Sequence, residues 1–195
     1  MSQFELLLSI ALGVALAAAV GLRVFVPLLV VAVAGYTGHL HLSESFQWLA
    51  TLPAIAMLGV AATIEVLAYY IPGVDNLLDI IAAPAALLAG TVAAAAVMAD
   101  LPPIVKWTTA VIAGGGAATL TQGITSLLRA KSTATTGGIG NSVIATGELG
   151  GALALSLLAV LAPILAVVLV VLLFWAIIKL LRRLLSPVRR TTPPG

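Results

Sequence analysis

Ionised side chains inside lipid-soluble segments cost on the order of 2.5–3.5 kcal/mol each on insertion scales, so every one of them needs a partner or a task. This chain has several. The richest stretch is Ser132-Thr-Ala-Thr-Thr-Gly-Gly-Ile-Gly-Asn141, preceded by Arg129 and Lys131 and set between long apolar runs. Its glycines and short hydroxyl side chains predict a loop rather than an unbroken helix. Two chemistries fit it. Backbone N–H groups from Thr135 to Asn141, across Gly137, Gly138 and Gly140, would cradle an anion such as a phosphate with Arg129 and Lys131. Alternatively, the oxygens of Thr133, Thr135 and Thr136, backed by Glu65 and Glu148, would suit a small cation. An ordinary glycine-rich turn is the third reading. Arg23, Arg129, Lys131, Ser132, Thr133, Thr135, Thr136, Gly137, Gly138, Gly140 and Asn141 form the candidate solute-binding set.

The carboxylates form a second set, for a coupling proton or cation: Glu65, Asp75, Asp79 and Glu148. Glu65 precedes Pro72 by seven residues, roughly 10 Å along a helix, which puts it inside the hydrocarbon. It would either pair with Arg23 or Arg129 or bind a proton or cation. Glu148 stands in Gly147-Glu-Leu-Gly-Gly151, beside a small-residue packing face, and should point into the bundle. Asp75 and Asp79 share one face at a helix start, either as caps on the positive dipole end or as an acidic mouth. His39, His41 and Glu44 lack the spacing of a metal site. The 132–141 stretch lacks the Gly-Lys-Ser/Thr ending of a phosphate-binding loop. No nucleophile–base arrangement sits in a recognisable context, and there is no cysteine. No enzyme activity, metal or cofactor is expected.

The segments that must hold these groups are almost wholly apolar. The chain is 62% hydrophobic and 8% charged, against roughly 25% charged in soluble domains. The reading is an all-α, polytopic membrane bundle of about seven hydrophobic segments. Residues 4–38 would make one helix of roughly 50 Å, too long for a hydrocarbon core of about 30 Å. A break at Gly21-Leu-Arg23 predicts helices at 4–20 and 24–36, as a hairpin or re-entrant pair. Further helices are expected at 48–70, 76–98, 104–128, 142–160 and 163–181. A polar loop ends at Trp48, and Ile71-Pro-Gly-Val-Asp75 makes a turn. Gly114-Gly-Gly116 marks a hinge or a close helix approach. Residues 1–185 form one membrane domain, with halves 1–99 and 103–185 divided at Asp100-Leu-Pro-Pro103, and 186–195 a disordered basic tail. Arg23 in one half and Arg129 with Lys131 in the other, each at a break, hint at an inverted repeat.

If the helices alternate, Arg23, Arg129, Lys131, Lys179, Arg182, Arg183, Arg189 and Arg190 share one side, with Lys106 alone opposite. The basic side should be cytoplasmic in a bacterial plasma membrane, with Tyr69, Tyr70 and Trp175 in its aromatic belt and Trp48 and Trp107 in the other. The N-terminus lacks the basic region of a signal peptide and reads as a retained segment. The preferred function is a small secondary transporter or channel for an unidentified solute or ion. A non-transporting structural or assembly protein is the alternative. Partners are the bilayer and that solute, with no nucleic acid, and the glycine-rich faces leave room for a homodimer.

Three stretches carry a family resemblance: Gly21-Leu-Arg-Val-Phe-Val-Pro-Leu-Leu29, Glu65 followed by Ile71-Pro-Gly-Val-Asp75 and Asp79, and Ser132 to Asn141. Over residues 8–183 the chain resembles the bacterial membrane proteins grouped as domain of unknown function 4126. The resemblance implies location and fold type, not an activity. Ser142 stands where the family usually has proline, and Leu149 where it has a second acidic residue. An intramembrane Glu ahead of a Pro-Gly turn is also faintly similar to the DedA-type lipid carriers, which keeps a lipid-phosphate carrier among the alternatives.

Overall fold

The computed structural model describes residues 3–71 and 73–185. The basic tail at 186–195 and Pro72 of the turn lie outside the described residues. Eight α-helices follow in order: α1 Gln3–Val20, α2 Phe25–Tyr36, α3 Leu52–Ala68, α4 Val74–Val97, α5 Pro103–Thr109, α6 Gly116–Thr136, α7 Asn141–Leu161 and α8 Pro163–Leu185. A π-helical turn at Ala110–Gly115 joins α5 to α6, so that Pro103–Thr136 is one continuous helical rod. There is no strand among the described residues. Among the described residues four helices are long and apolar enough to cross a membrane, and five if a bent pair counts as one span.

Two boundaries correct the sequence reading. The helix expected at 48–70 starts at Leu52, with Thr51 accepting from the Ala54 N–H as its cap. Trp48 lies on a 3-10 segment, Glu44–Ala50, bent 70° from α3. The larger correction is that the helix expected at 104–128 runs to Thr136. The Thr135 and Thr136 hydroxyls donate to the carbonyls of Lys131 and Ser132 one turn earlier, so the polar run satisfies itself within a helix. The break comes only at Gly137 and Gly138, whose φ values of +63° and +92° take the left-handed conformation of a C-terminal cap.

The surface is aliphatic and the interior holds charge. Met57, Ile80 and Ile112 are more than 70% exposed, whereas Arg23 and Arg129 are 1% exposed. That arrangement suits hydrocarbon as solvent. The helices meet through small residues: Ala15 to Val20 on α1 and Ala93 to Ala96 on α4 are essentially inaccessible. A Cβ on Gly114 would come within 2.6 Å of the Ala94 Cβ and 3.1 Å of the Gly90 carbonyl oxygen. The glycine triplet therefore serves close approach of α4 to the π-helical turn.

The turn joining α1 to α2 is itself inside the bundle, with Gly21, Arg23 and Val24 buried. A Cβ on Gly21 would meet the Ala118 carbonyl oxygen, and would come within 2.6 Å of the Thr121 Cβ and 3.0 Å of the Gln122 backbone nitrogen. Backbone on α6 cannot yield cheaply. Gly21→Ala should cost about 1–3 kcal/mol in detergent-titrated unfolding. Gly123→Ala, where nothing lies within 4 Å, should be neutral or stabilising by up to about 1 kcal/mol. Equal effects of the two would refute the close approach.

Candidate functional site

Five elements bring their polar side chains to one buried knot. Arg23 enters from the α1–α2 turn, Tyr69 from the end of α3, Asp79 from α4, Gln122 and Arg129 from α6, and Glu148 from α7. The sequence reason is spacing: Thr121, Gln122, Thr125 and Arg129 recur at helical intervals and form a buried polar stripe on α6. Glu148 lies seven residues into α7, and Arg129 seven residues before the end of α6, each roughly 10 Å from the connecting turn.

Glu148 Oε2 is ion-paired to both arginines: Arg129 Nη2 donates to it in a close ion pair, and Arg23 Nη1 stands 3.0 Å away. Arg129 Nη1 reaches Asp79 Oδ1 at 2.7 Å. The Tyr69 hydroxyl donates to the same Asp79 oxygen at 3.4 Å, and Gln122 Nε2 approaches it at 3.5 Å. Arg23 Nη2 donates to the Ala145 carbonyl at 3.1 Å. Both guanidinium carbons stand over the Tyr69 ring, 3.9 Å and 4.1 Å from its centroid, a contact worth about 2 kcal/mol when desolvated. Two positive and two negative charges therefore balance. Satisfaction is incomplete: Glu148 Oε1, Arg23 Nε and Nη1, and Arg129 Nε are buried without hydrogen-bond partners.

Glu65 does something else. Its two oxygens accept the backbone N–H groups of Val24 at 2.7 Å and Phe25 at 3.0 Å. Val24, the residue before α2, makes no side-chain cap of its own, so a carboxylate from α3 caps α2 at its positive end. No ion pair joins Glu65 to an arginine among the described residues. The expected pairing with Arg23 or Arg129 is corrected: the carboxylate is occupied by the orphan amides that the buried turn creates.

A second polar layer lies one turn further out. Asn141 Nδ2 donates to Asp75 Oδ2 at 2.5 Å and to Thr133 Oγ1 at 2.9 Å. Asp75 Oδ1 accepts from the Gly73 and Asn76 backbones at 2.8 Å and 2.9 Å. Asp75 and Asp79 thus share an inward face, as their spacing predicts.

Of the 132–141 stretch, only Thr133 and Asn141 turn to this interior. Lys131, Thr135 and Thr136 are exposed, and Ser132 meets Thr136. Most of the N–H groups expected to cradle an anion are engaged within the turn itself. The N–H groups of Gly137, Ile139, Gly140 and Asn141 are taken by Thr133 O, Thr136 O, Thr136 Oγ1 and Gly138 O respectively. Sequence reasoning missed Tyr69, read as an interfacial aromatic, and Gln122. Tyr69 lies four residues after Glu65 and Gln122 seven before Arg129, so helical periodicity from the charged residues held the signal.

Two apolar clefts reach these groups from the sides of the bundle. One, of about 360 Å³ between α2, α3 and α4, has Glu65 and Tyr69 as its polar lining. The other, of about 320 Å³ between α6, α7 and α8, has Thr121, Thr125 and Glu148.

An all-helical chain that turns aliphatic side chains outward and encloses a balanced set of charges is a multi-pass membrane protein. It belongs to the family described as Domain of unknown function (DUF4126), which matches residues 10–183. No curated protein and no solved structure matches the chain.

Proposed function

We propose that the protein is a small secondary transporter in which Glu148 carries the coupling proton. The observation that supports this is the asymmetry of one carboxylate: Oε2 is held by two arginines while Oε1 is buried and unpartnered. A proton can add at Oε1, away from the oxygen that the two arginines hold, and it neutralises the carboxylate they are paired to. It would then leave Arg23 and Arg129 facing Asp79 as the remaining carboxylate of the knot, an imbalance that drives rearrangement or solute capture.

In this reading α1 and α2 are a re-entrant pair, since their turn is buried at the level of the knot, and the chain has seven membrane segments. The C-terminus is cytoplasmic in a plasma membrane, as the basic residues require. Phe46 packs 6.1 Å from Trp107, in keeping with an aromatic belt at the opposite end. Each half supplies one arginine and one carboxylate to the knot, which is the support for an inverted repeat.

The test is charge movement in proteoliposomes on a solid-supported membrane under pH jumps and a panel of inorganic ions and phosphorylated solutes. Wild type should give a pH-driven current that Glu148→Gln abolishes while remaining monodisperse. Wild-type silence across the panel would overturn transport and favour the structural alternative, in which the neutral knot only fixes helix packing.

A further inference from the structure

Glu148 stands between the knot and a second space. With Thr121, Thr125 and otherwise apolar side chains, among them Leu22, Ile144 and Phe174, it lines the cleft of about 320 Å³ between α6, α7 and α8. The Thr121 hydroxyl donates to the Ala117 carbonyl at 2.9 Å and the Thr125 hydroxyl to the Gln122 carbonyl at 3.0 Å. Each hydroxyl has its one hydrogen committed and presents lone pairs. An ionised carboxylate would meet no donor there, whereas a protonated carboxyl can give its O–H to either threonine. The cleft therefore suits the Glu148 side chain in its neutral form only.

The seat that the side chain would leave is built for an anion. Arg23 and Arg129 close on Glu148 Oε2 from two elements, yet Arg23 Nε and Nη1 and Arg129 Nε stay buried without hydrogen-bond partners. One tethered oxygen under-uses two guanidinium forks, each shaped to hold a planar oxyanion through paired bonds. A free oxyanion has no tether and presents an oxygen to each fork. Charge fixes its valence. The titratable groups around Glu148 are Arg23 on the α1–α2 turn, Tyr69 at the end of α3, Asp79 on α4 and Arg129 on α6, with Glu65 engaged on the α2 amides. With a proton on Glu148, the two arginines face Asp79 with one positive charge in excess. A monovalent anion restores neutrality and a divalent one overshoots it. The vacated volume is that of one carboxylate group.

We infer that Arg23 and Arg129 bind a small, monovalent, planar oxyanion, a short monocarboxylate or nitrate, in place of the Glu148 carboxylate, which takes up a proton and turns into the α6–α7–α8 cleft. The inference rests on Glu148 as the proton carrier and names the class of solute that travels with the proton. The knot is neutral both with Glu148 ionised and with one proton and one anion bound.

Binding of formate to the full chain in detergent would be followed by isothermal titration calorimetry at constant ionic strength, with sulfate as the divalent control. Formate affinity should rise about tenfold per pH unit on acidification, the mark of one proton taken up per anion bound, and sulfate should not bind. Glu148→Gln imitates the neutral side chain and should bind formate with no pH dependence. Gly147 lines the cleft and has nothing within 4 Å of a Cβ position, so Gly147→Leu fills the cleft and should abolish the pH-linked binding with an unchanged melting temperature. Formate binding to wild type that ignores pH, or its absence from folded Glu148→Gln, would overturn the anion seat. Sulfate binding as tightly as formate would overturn the valence, and wild-type behaviour of Gly147→Leu would overturn the movement into the cleft. Charge movement in proteoliposomes separates this inference from transport. A pH jump alone displaces charge as the proton binds, and saturating formate should shrink that current because anion and proton move together. Current without formate binding would remove the inference and leave transport standing, and pH-linked formate binding without current or flux would keep the seat and remove transport.

Discussion

Arg129→Met should destabilise the protein by about 3–5 kcal/mol, the cost of breaking a buried ion pair and leaving its partner charge uncompensated. Arg129 is the centre of the knot: among the described residues it alone is ion-paired to both Glu148 and Asp79. Without it, Asp79 keeps only the Tyr69 hydroxyl and the distant Gln122 amide, and Glu148 keeps Arg23. The methionine fills much of the volume, so the loss reports charge rather than a cavity. Reversible unfolding in mixed micelles would measure it. The double variant Arg129→Met with Glu148→Met removes one charge of each sign and should cost less than Arg129→Met alone, because the remaining Arg23 and Asp79 balance. Simple additivity of the two substitutions would show that the knot does not act as a unit.

Glu65→Ala should cost about 2–4 kcal/mol, the sum for two orphaned amides at about 1–3 kcal/mol each with partial relaxation. The loss is local in origin. Val24 and Phe25 donate to the two oxygens, and in a bilayer no water waits to replace them. Glu65→Gln keeps one acceptor oxygen and should cost about half as much. Hydrogen exchange should rise at residues 21–30 in both variants, and more in Glu65→Ala. A carrier role predicts another pattern. If Glu65→Gln left exchange and stability unchanged but abolished charge movement, the cap would be refuted and Glu65 would join Glu148 as a proton-carrying group.

Much of this architecture was legible in the residue types. A chain this apolar has no soluble option, and the break at Gly21 to Arg23, the division of α7 from α8 near Pro163 and the inward face shared by Asp75 and Asp79 all follow from local rules of proline, glycine and helical spacing. The singling out of Arg23, Asp79, Arg129 and Glu148 also followed from sequence, since charge inside an apolar segment must be paired. The Ser132–Asn141 stretch was legible only as unusual. Threonine has no single preference in a helix, because its hydroxyl can bond either a turn or the carbonyl one turn back, and Thr135 and Thr136 take the second option.

What only the tertiary structure decided is who pairs with whom. The α1–α2 turn ends inside the bundle, so two amides are stranded there, and the nearest acidic side chain, Glu65, goes to them instead of to an arginine. That leaves Glu148 to serve Arg23 and Arg129 with one oxygen and to hold the other free. Sequence determines that these charges are buried, because transfer to lipid is a property of each residue. Their partners are set by where helix ends come to rest, which is a property of the packed whole.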